Sequence, residues 1–185
     1  MRWDELFADL EARAQALSAA ERAAEIEDRT RFEAGRIRLA DRLRPAVGTE
    51  VQVRCLGSVL VTGKLRRAHR EWLLVTEPAG NEALIACAAI VSVGGLGRLS
   101  DAPETERAVD ARLGLRYALR SVVRDRSTLR LHLCDGATLD GTLDRVGADF
   151  VEIAVHAAGE PRRRAEVREV LTVPVDAVAA VRRRR

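Results

Sequence analysis

Residues 141–153 read GTLDRVGADFVEI, and residues 63–75 read GKLRRAHREWLLV. Gly63 corresponds to Gly141, Leu65 to Leu143, Arg67 to Arg145 and Trp72 to Phe150. The alternation of apolar and polar side chains predicts strands, because successive residues of a strand face opposite ways. Each stretch places a glycine in mid-strand, which is costly unless the backbone bends sharply or approaches another strand. A small barrel demands such a bend, since a short meander closes on itself only by curling. The pattern predicts two curled units in one chain.

The neighbouring sequence extends each unit. Val51, Val53 and Cys55 alternate with Gln52 and Arg54, Gly57-Ser58 offers a turn, and VLVTGKLRRA and EWLLVTE complete a meander. IACAAIVSV (85–93) supplies two short apolar strands, and GGLGRLSDAPE (94–104) reads as a linker. The order then restarts. Leu129, Leu131 and Leu133 alternate ahead of the hairpin signal Asp135-Gly136, and ATLDGTLDRV, DFVEIAV and finally VPVDAVAAV (173–181) follow. An insertion holding Glu160-Pro161-Arg162-Arg163-Arg164 precedes the last strands.

Helical periodicity frames these units. Trp3, Leu6, Phe7, Leu10, Ala14 and Leu17 recur at three- and four-residue steps. Ser18-Ala19-Ala20-Glu21 has capping-box spacing and predicts a second helix through Ala23, Ile26 and Phe32 to Leu39 and Leu43, ending before Pro45 and Gly48, so that residues 2–44 read as a helical hairpin or one long broken helix. Ala108, Ala111, Leu115, Ala118, Leu119 and Val122 form another stripe. The expected fold is α+β: a helical hairpin, then two tandem SH3-like five-stranded small β-barrels, each preceded by a helix. The expected divisions are an N-terminal helical segment at 1–34, a first repeat at 35–94, a linker at 95–105, and a second repeat with basic insertion and arginine tail at 106–185. A unit of roughly 60 residues buries only about 60% of the surface its unfolded chain exposes. Two units on one chain can cover each other.

The chain of 185 residues is 47% hydrophobic and 32% charged, a composition that suits an ordered globular protein. Its net charge is +3, yet Lys64 is the one lysine among 31 basic residues. Such arginine usage is expected of a GC-rich genome, so the overall charge says little about partners. The distribution says more: residues 1–30 carry eight acidic against four basic side chains, and residues 155–185 eight arginines against four acids. Cys55, Cys87 and Cys134 are widely spaced within apolar segments, and His69, His132 and His156 form no ligand pair. These predict reduced thiols in a cytoplasmic protein with no metal and no cofactor. The acidic start MRWDELFADLE is no signal peptide, and the run ALIACAAIVSVGGLG (83–97) is too short and glycine-rich to span a bilayer. No membrane partner is expected.

LHLCDGATLDGTLDRVGADFVEI with VPVDAVAAV resembles the Sm-like family of small bent-sheet barrels. The shared features are an N-terminal helix, an Asp-Gly hairpin, a mid-strand glycine and a final pair of short strands, over about 36–93 and 108–181. The whole chain resembles actinobacterial two-repeat proteins that begin near MRWDELFADLE, carry RLADRLR and GTLDRVGADFVE, and are often labelled Fis family transcriptional regulators. Resemblance to Sm-like proteins implies single-stranded RNA bound through an Asp/Asn pair after the second strand and an Arg-Gly pair near the last strands. Here those places fall near Gly147, Val151, Val175 and Asp176, and in the first repeat at His69, Leu73, Cys87 and Ala88. None supplies the Asn amide or Arg fork that hydrogen-bonds a base edge. A Fis-type helix-turn-helix needs two helices near the C-terminus, whereas residues 129–181 read as strands interrupted by Pro161 and Pro174.

The candidate nucleic-acid contacts are Arg162, Arg163, Arg164 and Arg168 in the insertion, with Arg182, Arg183, Arg184 and Arg185 at the tail. Arginine suits phosphate because its planar fork donates two parallel hydrogen bonds. Lys64, Arg66, Arg67 and Arg70 form a second cluster, although strict alternation sends Arg66 and Arg67 to opposite faces. Trp3, Phe7 and Leu10 share a helical face, which suits either a core or an anchor for a protein partner. No nucleophile–base pair, phosphate-cradling loop or metal set stands out, so no catalytic residue is assigned. The first expectation is a non-catalytic protein associated with RNA or DNA, in transcription regulation or RNA metabolism. The alternative is an adaptor or self-assembling homo-oligomer using the acidic helices and exposed barrel edges.

Overall fold

The computed structural model describes residues 3–101, 113–157 and 169–183. The chain divides into two units, Met1–Arg38 and Leu39–Arg185.

The first unit is one helix, α1 (Trp3–Arg36), of 34 residues. This corrects the expected hairpin. A capping box works only where its first residue leaves helical backbone, but Ser18 sits among Leu17, Ala19 and Ala20, all strong helix formers, and residues 3–34 contain neither Gly nor Pro. Pairs one turn apart line its surface, including Arg13–Asp9 at 2.8 Å and Arg31–Glu27 at 3.1 Å. Each exposed pair contributes about 0.3–0.5 kcal/mol.

The second unit opens with α2 (Leu39–Leu43) and a short 3-10 turn at Arg44–Ala46, where Pro45 prevents the helix from continuing. Five strands follow: β1 (Glu50–Cys55), β2 (Leu60–Ala68), β3 (Trp72–Thr76), β4 (Glu82–Ala86) and β5 (Ile90–Gly94). After α3 (Leu115–Asp125) come β6 (Leu129–Leu133), β7 (Thr138–Val146), β8 (Phe150–Val155), β9 (Glu169–Pro174) and β10 (Val178–Arg183).

All ten strands belong to one open sheet, in the order β5-β1-β2-β3-β4-β10-β6-β7-β8-β9. The expectation of two separate five-stranded barrels is therefore wrong. Closing the first five strands would need β4 bonded to β5. Instead the three-residue turn Cys87–Ala89 redirects the chain so that β5 pairs with β1, leaving the edge of β4 for β10. The joint is antiparallel, with Ala180 opposite Ile85, Val181 opposite Leu84 and Arg182 opposite Ala83. On its other side β10 pairs with β6.

The duplicated glycines still have a physical role. A Cβ at Gly63 would collide with the carbonyl oxygen of Thr76, and one at Gly141 with that of Ala154, each on the adjacent chain segment. Both strands also carry a bulge just beyond the glycine, between Leu65 and Arg67 and between Leu143 and Arg145. Glycine plus bulge gives a strong local bend. The bend curls the sheet without closing it.

One core runs beneath both halves. Val51, Val53, Val61, Leu65, Leu73, Val75 and Ile85 join Leu119, Leu129, Leu131, Leu143 and Ile153 in a single apolar cluster. At about 1.5–3 kcal/mol per fully buried Leu, Ile or Val, this is the main stabilising term. A second link crosses the halves at Gly57, in the β1–β2 turn. Its φ is +67°, and a Cβ there would strike the Leu133 carbonyl and the Gly136 backbone. Arg42 fastens the stretch after β5 by donating to the carbonyls of Gly97, Arg98 and Leu99 at 2.6–2.8 Å. Among the described residues, no helix is long and apolar enough to cross a membrane.

Candidate nucleic-acid interface

The sequence of α3, LRYALRSVVRD, is strongly two-sided. Leu115, Ala118 and Leu119 are buried, with Val122 and Val123 packed beside them. Arg116, Arg120 and Arg124 recur every fourth residue, so they rise along one exposed ridge about 6 Å apart. Tyr117 is 46% exposed on the same side. Arg120 and Arg124 make no ion pair among the described residues, while Arg116 donates to the Ala148 carbonyl at 2.7 Å. Three guanidinium groups and an aromatic ring thus face outward from one rigid element.

The β2–β3 loop holds this helix in place. Glu71 accepts a hydrogen bond from the Leu115 backbone N–H at 2.8 Å, which satisfies a free donor and sets a carboxylate at the positive end of the helix. The Trp72 indole N–H donates to the Leu113 carbonyl at 2.7 Å, and His69 stacks on Trp72 at 4.2 Å. At the far end Arg126 adopts a left-handed conformation with φ 51° and donates its backbone N–H to the Val123 carbonyl.

Beside Arg116 lies a cleft of about 560 Å³ where the two halves of the sheet meet. Arg70, Glu71, Cys87 and Ala88 line it from one half, and Asp149, Val175 and Asp176 from the other. Several positions matched to the RNA-binding places of Sm-like proteins therefore converge, whereas Leu73 and Val151 are wholly buried. Three carboxylates against two arginines make the cleft a poor anion site. Burial, reinforced by Cys55 and Glu71, pushes the Cys87 thiol up to about 12, so it stays protonated at neutral pH and is a weak nucleophile. Burial and Cys134 likewise push Cys55 up to about 11.

The other sequence candidates are dispersed. Arg162, Arg163, Arg164, Arg168, Arg184 and Arg185 lie outside the described residues. Arg182 is committed to structure: it donates to the Leu60 carbonyl at 2.5 Å, pairs with Glu77 at 3.1 Å, and leaves its buried Nε without a partner. Arg183 pairs with Asp125 at 3.2 Å. Lys64, Arg66 and Arg67 are all exposed on β2, because the bulge after Leu65 interrupts the alternation that should have separated the last two. Arg66 donates to the Thr76 hydroxyl at 3.1 Å, and Arg70 reaches the cleft. Trp3 and Phe7 stack at 6.3 Å, and with Leu10 they are exposed on α1. Sequence reasoning missed the ridge on α3, although its i, i+4, i+8 spacing is plain in the sequence, because the arginine runs at 162–164 and 182–185 are denser. Among the described residues, no group of three or more His, Cys, Asp or Glu side chains could hold a metal ion. No family model matches the chain, and no curated protein matches it.

Proposed function

We propose that the protein is a non-catalytic binder of single-stranded nucleic acid, acting in the cytosol in transcription regulation or RNA metabolism. The observation that carries this reading is the exposed ridge Arg116-Arg120-Arg124, with Tyr117 beside it, on a helix fixed at both ends. The arginines supply phosphate contacts, and the tyrosine ring supplies a stacking surface for a base, which is the combination single strands require. The unpaired cysteines support a reducing compartment. Fluorescence anisotropy with labelled single-stranded RNA and DNA tests the reading across a salt series. Replacing Arg120 and Arg124 with Gln removes two phosphate contacts, so the slope of log K against log salt becomes shallower by roughly 1.4. Tyr117→Ala costs about 1–3 kcal/mol of binding. Absence of binding at low salt, or a slope unchanged by the double replacement, refutes the assignment.

A second reading rests on α1. Trp3 is 74% exposed and Phe7 55%, which suits capture of a protein partner. Removal of residues 1–34 then abolishes partner capture while leaving the sheet unit folded; capture that survives the deletion rules this out.

A further inference from the structure

Arg116, Arg120 and Arg124 have a companion row on α3. Tyr117, Ser121 and Asp125 repeat the same four-residue step one position later, so the two rows run side by side along the helix. All three are exposed. The first row carries only guanidinium groups, whereas the second carries a ring, a hydroxyl and a carboxylate. A strand whose phosphates lie on the first row therefore presents its bases to the second.

The second row borders a pocket. Ser121 and Asp125 form one wall of a cavity of about 220 Å³, and Leu84, Leu129 and Val181 of the sheet form its floor. These three are buried, and Leu84 and Val181 stand opposite each other at the joint between the halves. The volume lies below the roughly 300–1,000 Å³ of a site for a drug-sized ligand, and suits a single planar base. Glu82 and Arg183, also opposite each other at the joint, bring charge to the pocket.

The polar groups match one base edge. Arg183 donates to Asp125 Oδ2 at 3.2 Å, and the Ser127 hydroxyl donates to the same oxygen at 2.7 Å. Asp125 thus fixes the guanidinium. Glu82 is half-buried and makes no hydrogen bond or ion pair among the described residues. An ionised carboxylate only accepts, so an unpaired one beside an apolar floor calls for a ligand with N–H donors. Guanine offers adjacent N1–H and N2–H donors next to its O6 acceptor, an order that uracil, cytosine and adenine lack. Two carboxylates against one arginine also repel phosphate, which keeps the backbone of the strand on the arginine row.

We propose that this pocket receives one guanine base of a bound single strand, with Glu82 accepting from N1–H and N2–H and Arg183 donating to O6. The proposal deepens the nucleic-acid reading and rests on it: the arginine row holds the strand, and the pocket reads one base.

Fluorescence anisotropy on the full chain compares labelled oligouridine with the same oligonucleotide carrying one central guanosine. The expected preference for the guanosine form is roughly tenfold, the size of a good bidentate base contact. Inosine, which lacks the 2-amino group, gives a smaller preference at the same position. Glu82→Gln brings the ratio of the two affinities close to one, because its NH₂ meets a base donor where a second oxygen stood. The double variant Arg120→Gln/Arg124→Gln weakens both complexes but keeps the ratio. Circular dichroism confirms that the variants are folded. A second measurement needs no phosphate contact: free guanosine, but not uridine, shifts the backbone amide signals of Leu84, Ser121 and Ser127 in NMR spectra. Equal affinity of the wild type for the two oligonucleotides, a preference that survives Glu82→Gln, or amide signals unmoved by guanosine overturns the proposal and leaves the ridge reading standing. Failure of both oligonucleotides to bind refutes the ridge reading, and the proposal falls with it.

Discussion

Replacing Gly141 with alanine adds one methyl group where the Ala154 carbonyl oxygen already stands, with the Ile153 side chain 3.2 Å away. Neither neighbour is a free side-chain end: one is backbone, and Ile153 is fully buried. The strands must part, so the substitution behaves as overpacking, at about 1–3 kcal/mol. Loss of one ladder hydrogen bond adds about 1 kcal/mol. Relief of glycine's entropic cost in a strand returns about 0.5–1 kcal/mol. The net is a destabilisation of about 2 kcal/mol, which lowers the melting temperature of a unit this size by roughly 4–8 °C. Gly63→Ala meets the Thr76 carbonyl in the same way and gives a similar loss. Thermal unfolding followed by far-ultraviolet circular dichroism measures both. Gly35→Ala is the control: no heavy atom lies within 4 Å of its added methyl, so it leaves the sheet transition unmoved. Unfolding of Gly63→Ala and Gly141→Ala at the wild-type temperature would refute the bend as the reason for glycine.

Burial, then Arg182 and Arg130, push His132 from 6.5 down to about 4, with Asp140 opposing. The unfolded chain accepts this proton near pH 6.5 and the folded chain only near pH 4, so the stabilisation is complete above the first value and is lost as pH falls towards the second. Urea unfolding at about pH 7 and about pH 5 should differ by about 2 kcal/mol more in wild type than in His132→Asn, and equal differences exclude the mechanism. At the joint between halves, Arg182→Met strips Glu77 and the Leu60 carbonyl of their partner and costs about 3 kcal/mol. In a double-mutant cycle with Glu77→Gln, a coupling of about 1 kcal/mol or more is expected, and additivity of the two changes contradicts the pairing.

Much of the sheet was readable from local pattern. Val51, Val53 and Cys55 point inward as their alternation requires, and Asp135-Gly136 forms its turn, with Gly136 at φ +95° and Asp135 accepting from the Ala137 N–H at 2.8 Å. The β4–β10 pairing was not readable, because Leu84 and Val181 are distant in sequence and nothing local to either says whether β4 meets β5 or β10. The same apolar strand satisfies both topologies. The placement of Arg67 failed for a different reason: a bulge inserts one residue into the alternation, and the nearby Gly63 is its only local trace. The hairpin at Ser18 failed because a capping motif permits a helix start without forcing one. For the interface, the amphipathic period of α3 is legible in Leu115, Ala118, Leu119 and Val122, but a polar face opposite an apolar stripe is common to solvated helices and does not by itself mark Arg116, Arg120 and Arg124 as a contact surface. The cleft could not have been foreseen, since it exists only where two distant loops are brought together.

The account depends above all on β10 sealing the open edge of β4 and making one sheet of ten strands. Nuclear Overhauser contacts between backbone protons across these strands test that directly. The expected result is cross-peaks linking Leu84 with Val181 and Ala83 with Arg182. Cross-peaks linking β4 to β5, with none to β10, would mean that the first five strands close on themselves, and would contradict it.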